Sequence, residues 1–121
     1  MKAFLHSFTY AFQGIAHVMR TQRNARVHLL VSVAVIGAGL YFRVTPVEWA
    51  VLALTMGMVF SAEMINTVAE LAVDLLTQRV HPMAKVAKDV GAGAVLIAAL
   101  AAVGVGLAIF GPRLWALFLE P

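Results

Sequence analysis

The run from Val90 to Phe110 contains no charged residue, and two further apolar stretches precede it. A helix rises ~1.5 Å per residue and the hydrocarbon core of a bilayer is ~30 Å thick, so about twenty apolar residues suffice to cross it. This Gly- and Ala-rich run follows Lys85, Lys88 and Asp89 and is expected to end at Gly111-Pro112. Val27 to Phe42, interrupted only by His28 and Ser32, is just long enough to span if its flanking side chains snorkel. Between the two, Thr45-Pro46-Val47-Glu48 places an N-cap Thr before a Pro at the first helical position, with a Glu three residues after the cap. A helix therefore starts near Pro46, and no breaker is evident before His81-Pro82. The predicted spans are 27–43, 46–79 and 83–111, the second long enough to project beyond the bilayer on one side.

Composition agrees with this. The chain is 62% hydrophobic and 12% charged, too few charges to cover the surface of a water-soluble domain of 121 residues. Its net charge of +3 comes from basic residues flanking apolar spans, where Lys and Arg set topology and meet anionic headgroups, so nucleic acid is not an expected partner. Cysteine is absent, which excludes disulfides, thiolate chemistry and Cys-based metal sites. The N-terminus lacks the apolar core of a cleavable signal and is expected to stay. Over residues 1–25, Phe4, Phe8, Phe12, Ile15 and Met19 recur every three to four positions with His6, Gln13, His17 and Arg20 between them. That spacing predicts an amphipathic helix lying in the membrane interface. The fold class is thus an all-α membrane protein, a surface helix plus three transmembrane helices, in a single domain over 1–121. Lys2, Arg20, Arg23, Arg26, Arg79, Lys85 and Lys88 fall on one side of the spans and only Arg43 and Arg113 on the other, which predicts a cytoplasmic N-terminus and an outer C-terminus.

Chemistry is concentrated in Glu63-Met64-Ile65-Asn66-Thr67-Val68-Ala69-Glu70-Leu71-Ala72-Val73-Asp74. At ~100° per residue, Glu63, Asn66, Glu70 and Asp74 fall within an arc of roughly 80°. With Trp49 as an anchor at the outer interface, Glu63 lies ~21 Å along the helix and about 9 Å below the opposite boundary, with Glu70 near that boundary. A carboxylate at that depth must face protein, water or a polar partner. Removed from bulk water, it is also a stronger base toward an alcohol proton. Glu70 and Asp74, nearer water and Lys85 and Lys88, suit metal and phosphate work. The same stripe is open to two other readings, polar residues joining helices and a carboxylate-based proton or cation carrier. On residue chemistry alone the carrier ranks nearly equal to catalysis. No Gly-rich phosphate loop and no protein-kinase signature is present, and Lys88-Asp89 before Gly91-Ala92-Gly93 is a weak phosphate motif on its own.

Taken together, Glu63-x-x-Asn66-Thr67-x-x-Glu70-x-x-Val73-Asp74, then Ala87-Lys88-Asp89 and Ala94-Val95-Leu96, resemble the prokaryotic diacylglycerol kinase family, which includes undecaprenol kinases. The resemblance spans essentially the whole chain, with Gly14 in the first helix, and Arg20-Thr21-Gln22-Arg23-Asn24, His28 and His81-Pro82 lean toward the undecaprenol branch. It implies a homotrimer in the bacterial plasma membrane with active sites shared between subunits. It also implies phosphorylation of a lipid alcohol, undecaprenol or diacylglycerol, by direct transfer of the ATP γ-phosphate, with Mg²⁺ as the divalent metal. In that light Glu63 matches the catalytic base, Glu70 a metal ligand, and Asn66 and Asp74 supporting polar residues. Lys88, Asp89, Tyr10 and His81 match nucleotide-contacting positions, together with Gln22 and Glu70, and Asn24 and Arg26 would lie beside the lipid headgroup with Glu63. Two positions depart from the family pattern. Gln22 stands where a glutamate usually helps hold metal, which reduces charge compensation there, and Arg79 stands where some members have an acidic residue. The carrier alternative has no evident need for Lys88-Asp89 at its distance from the stripe.

Overall fold

Three short interruptions divide the chain into four helices in the computed structural model, which describes residues 1–119: α1 (Lys2–Thr21), α2 (Arg23–Tyr41), α3 (Pro46–Leu76) and α4 (Pro82–Leu119). The last two residues of the domain expected over 1–121 lie outside the described residues. Helices α2, α3 and α4 are each long and apolar enough to cross a membrane. Antiparallel α3 and α4 form the principal pair, α2 packs on α3, and α1 touches α2 and α3.

Each interruption has a local cause. Gln22 adopts an extended conformation (φ −100°, ψ 116°) while its N–H still reaches Val18 O at 2.8 Å, so one residue both ends α1 and begins α2. Residues 23–25, expected in the first helix, therefore belong to α2. Across that corner the Arg26 guanidinium donates to Arg20 O (3.0 Å) and Met19 O (3.3 Å), placing a cation on the carbonyl end of α1, where the helix dipole favours it. Ala25 is fully buried and Val18 nearly so, which fixes the corner sterically.

Helix α2 ends in a Schellman motif. Val44 N–H bonds Gly39 O (3.1 Å) and Arg43 N–H bonds Leu40 O (3.3 Å), with Arg43 in the left-handed region at φ 51°. The chain then enters α3 through the expected capping box: Thr45 Oγ1 accepts from Glu48 N–H (3.3 Å), and Glu48 Oε2 accepts from Thr45 N–H (2.7 Å). Trp49, expected as an interfacial anchor, is half-buried against Gly39. A Cβ at residue 39 would stand 2.6 Å from the indole Cη2, so the close approach of α2 to α3 requires glycine.

The long helix stops three residues short of its predicted end. Thr77 turns extended, and its hydroxyl both accepts from Arg79 N–H (3.2 Å) and donates to Arg79 O (3.3 Å). A side chain that offers the backbone such bonds competes with helix continuation, which periodicity alone does not reveal.

Helix α4 differs more. The expected stop at Gly111-Pro112 is not made, and the helix continues through Pro112 to Leu119. Proline in a helix interior deletes one backbone bond and crowds the preceding turn, at a cost of ~3 kcal/mol. Next to it, Arg113 bonds Ile109 O and grips Glu48 with both nitrogens, Nη1 to Oε1 at 2.9 Å and Nη2 to Oε2 at 2.8 Å. This fork ties the far end of α4 to the first turn of α3. It caps a small core of Val44, Leu52, Ile109 and Phe110 that Trp49 and Phe42 close from the side.

Elsewhere large apolar side chains point outward: Leu30, Leu54, Ile97 and Leu100 are all more than half exposed. A water-soluble fold would not tolerate that pattern over whole helix faces, whereas a bilayer solvates it.

Candidate functional site

The buried face of α3 begins apolar, with Leu52 and Val59, and turns polar one helical turn later with Glu63, Asn66 and Thr67. Glu63 is 1% exposed and is the largest side chain that is fully enclosed. Its neighbour Thr67, 2% exposed, is satisfied by donating from Oγ1 to Glu63 O at 2.9 Å. Asn66, 7% exposed, donates from Nδ2 to Glu70 Oε1 at 3.2 Å. Two acceptors have no partner in this enclosure, Glu63 Oε2 and Asn66 Oδ1. Buried oxygens of this kind are uncommon because each forgoes the hydrogen bonds it would make in water.

One to two turns further along, the stripe emerges into the open. Asp74 accepts from Lys88 Nζ at 2.6 Å, which joins α3 to α4 across fourteen residues of sequence. Lys85 pairs with Asp89 along α4. These four side chains line a cavity of about 530 Å³, together with Arg79 and His81 from the loop. His81 also caps α4: its Nδ1 accepts from Met83 N–H at 3.2 Å, with Pro82 at the first helical position. That acceptor role leaves the ring proton of the neutral imidazole on Nε2.

The residues singled out from sequence thus fall into three groups. Glu63 and Asn66 form the enclosed part of the site with half-buried Glu70 at its edge, and Asp74, His81, Lys88 and Asp89 form the open part. Tyr10, Gln22, Asn24 and Arg26 are not brought into the cavity. Tyr10 is exposed on α1, its ring stacked on His6 at 6.4 Å. Gln22 is half-buried at the α1–α2 corner, and among the described residues no hydrogen bond links it to Glu70. Asn24 is exposed beside it, and Arg26 is engaged with the α1 carbonyls.

The sequence motif includes Thr67 but assigns it no role, and its hydroxyl bonds the backbone of the stripe; the Glu48–Arg113 fork, whose members lie 65 positions apart, carries no local signal. Gly91 was noted only for its place after Lys88-Asp89. A Cβ there would overlap Asn66 Oδ1, so α4 crosses α3 with its backbone against the amide.

Among the described residues, no three His, Cys, Asp or Glu side chains converge as a metal cage. The donor set suits a cation that arrives with its own ligands, since Mg²⁺ is commonly held by one or two carboxylates while phosphates and water complete its shell. Glu70 presents one oxygen beyond the one Asn66 engages.

Comparison with known proteins gives this arrangement a context. The prokaryotic diacylglycerol kinase family matches over residues 9–110. The chain is 40% identical to an undecaprenol kinase of Bacillus subtilis (strain 168) over 114 residues, 94% of this chain and 93% of that one. It is 46% identical to a diacylglycerol kinase of Synechocystis sp. over 114 residues, 93% of this chain and 65% of the relative. With three helices long and apolar enough to cross a membrane, the chain belongs to the prokaryotic diacylglycerol kinase family, a family of membrane lipid kinases.

Proposed function

We propose that this enzyme transfers the γ-phosphate of ATP to the hydroxyl of a membrane lipid alcohol, of the undecaprenol or diacylglycerol type, at the cytoplasmic face of the bacterial plasma membrane. The observation that carries this is the enclosed Glu63 carboxylate, with an oxygen that lacks a partner, on the same helix face as the water-facing cavity of Asp74, Lys88 and His81. A lipid hydroxyl reaching Glu63 Oε2 would supply the missing donor. Glu63 then takes the hydroxyl proton as the alcohol oxygen bonds to the γ-phosphorus, the bond from that phosphorus to the bridging oxygen breaks, and ADP leaves. Glu70 is the residue that would hold Mg²⁺ carried with the nucleotide, which would supply charge neutralisation at the phosphate oxygens.

The remaining residues take supporting parts. Lys88, held by Asp74, and the Nε2–H of His81 offer cationic and neutral donors to phosphate oxygens from the cavity wall. Asp89 holds Lys85 beside them. Helix α1 would lie in the interface with Phe4, Phe8 and Phe12 toward the lipid, with Tyr10 on its water side available to a nucleotide and Asn24 and Arg26, at the start of α2, available to a headgroup. Gln22 contributes a neutral carbonyl oxygen on the approach to Glu70. The polar stripe of α3, which lipid would not solvate, suits a homotrimer in which a neighbouring subunit completes the site.

The test is ATP consumption and ³²P transfer by the purified protein in mixed micelles, across a panel of undecaprenol, diacylglycerol and no added lipid. Labelled phospholipid from one or both alcohols is expected. Nucleotide turnover without a labelled lipid, or cation uptake by proteoliposomes with no turnover, would overturn the assignment. Native mass spectrometry in mild detergent showing only active monomers would remove the shared site while leaving the activity.

A further inference from the structure

Asn66 is an amide with two ends, and the two ends face different elements. Its Nδ2 donates to Glu70 Oε1 at 3.2 Å on its own helix, whereas its Oδ1 is buried, lacks a conventional donor and abuts Gly91 of α4. A Cβ at residue 91 would overlap that oxygen and stand 3.4 Å from the amide carbon, so only a residue without a side chain fits. In glycine the direction a Cβ would take is occupied by a Cα–H bond. That bond points at Oδ1, a weak donor of the kind found where helices pack closely. The reversed amide is disfavoured at both ends: its NH₂ would crowd the Cα–H, and its oxygen would meet the Glu70 carboxylate.

We propose that Gly91 is a positioning residue for the nucleotide-bound cation, acting through Asn66. By admitting only the amide oxygen against α4, it forces the amide nitrogen onto Glu70 and so fixes which carboxylate oxygen remains for the metal. This rests on the assignment of Glu70 as the residue that holds Mg²⁺. Gly91 lies one turn from Lys88, so the same crossing sets the Lys88–Asp74 link and the Asn66–Glu70 pair at a fixed spacing. Helix propensity alone would favour alanine at a mid-helix position, so the glycine is held there by the crossing and not by the helix.

A double-mutant cycle on binding separates this from plain helix packing. Mn²⁺–ATP affinity is measured by the paramagnetic signal of free Mn²⁺ in micelles for the parent, Gly91→Ala, Asn66→Ala and the double variant, with melting followed in parallel. Gly91→Ala is expected to weaken Mn²⁺–ATP about tenfold, the scale of one hydrogen bond to a charged group, and to leave the KM for the lipid unchanged. In the Asn66→Ala background the same substitution is expected to add nothing, because the overlapping oxygen is gone. If Gly91→Ala does not fold, Asn66→Ala decides: a comparable loss of Mn²⁺–ATP affinity in that folded variant supports the proposal, and parental affinity overturns it. Parental affinity in Gly91→Ala, an equal loss in both backgrounds, or loss of fold in the double variant as well would each overturn it. A parent that binds Mn²⁺–ATP yet labels no lipid would refute the lipid-kinase function while leaving the cycle readable.

Discussion

The two ends of the α3–α4 pair are built on opposite terms. At the Trp49 end, Val44, Leu52, Ile109 and Phe110 form a closed core, and the charged groups above it satisfy one another in the two-pronged Glu48–Arg113 contact. At the Glu63 end the enclosed residues are polar, two of their oxygens have no partner, and Lys88–Asp74 joins the helices from positions that are 41% and 60% exposed. A partly satisfied polar network is costly inside a low-dielectric fold, so it persists only where other contacts hold the helices together. The contrast teaches that the two ends divide the work: the apolar end holds the helices together, and the polar end is left free to present acceptors.

The largest expected effect is at the polar end. Glu63→Gln keeps the shape and hydrogen-bonding capacity of the side chain while removing the base, so kcat should fall by a factor of about 10² or more. Melting temperature and nucleotide affinity should stay near the parental values. Turnover within a few-fold of the parent would remove Glu63 from the role and would leave its burial without a functional reason.

At the other end the expected signature is reversed. Gly39→Ala drives a methyl group into the Trp49 ring, whose nearest atoms would lie 2.6 and 2.9 Å away, and overpacking of this kind costs about 1–3 kcal/mol. Thermal denaturation in detergent should register that loss, with kcat and both KM values of the folded enzyme unchanged. A shift in lipid or nucleotide KM instead would break the comparison, because it would make the Trp49 end part of the site.

A smaller effect returns to the polar stripe. Glu70→Gln retains the bond from Asn66 but removes an anionic oxygen from the cation, and the half-saturating Mg²⁺ concentration should rise about tenfold, with partial recovery at high Mg²⁺. Identical Mg²⁺ curves for parent and variant would count against Glu70 as a ligand.

The polar end was the more legible of the two in sequence. Glu63, Asn66, Glu70 and Asp74 sit on one helix at spacings that put them on one face, so periodicity alone predicts the stripe, and Thr45 and Glu48 announce the start of that helix three residues apart. What the sequence concealed is what depends on crossings between helices. Arg113 finds Glu48 across 65 residues, and α4 runs on through Pro112 where proline and glycine suggest a stop. Gly91 and Gly39 look alike as glycines in apolar helices until the partner helix is placed, when each proves to face a specific side chain. Thr77 stops α3 through its own hydroxyl, a competition that hydrophobic patterning does not register. Arg26 illustrates the same limit, since its contact with the α1 carbonyls exists only because Gln22 turns the chain.

The smallest expected effect lies at that corner and asks whether the polar end extends to α1. Gln22 ends α1 in an extended conformation and is half-buried, but no hydrogen bond ties it to Glu70 among the described residues. If a cation at Glu70 lies within reach of residue 22, Gln22→Glu replaces a neutral carbonyl oxygen with an anionic one and strengthens binding of a divalent ion at fixed geometry. The half-saturating Mg²⁺ concentration should then fall by a few-fold, about the scale of one added charge close to water and shared with solvent. Gln22→Ala should raise it slightly, and the lipid KM should not respond to either change. If another carboxylate already compensates there, the new glutamate meets like charge, and Mg²⁺ affinity stays flat or worsens. A Mg²⁺ titration of lipid phosphorylation for the parent and both variants separates these cases. A half-saturation that is unchanged or higher in Gln22→Glu would confine the cation to α3 and α4, and would make the α1–α2 corner a structural hinge with no part in metal binding.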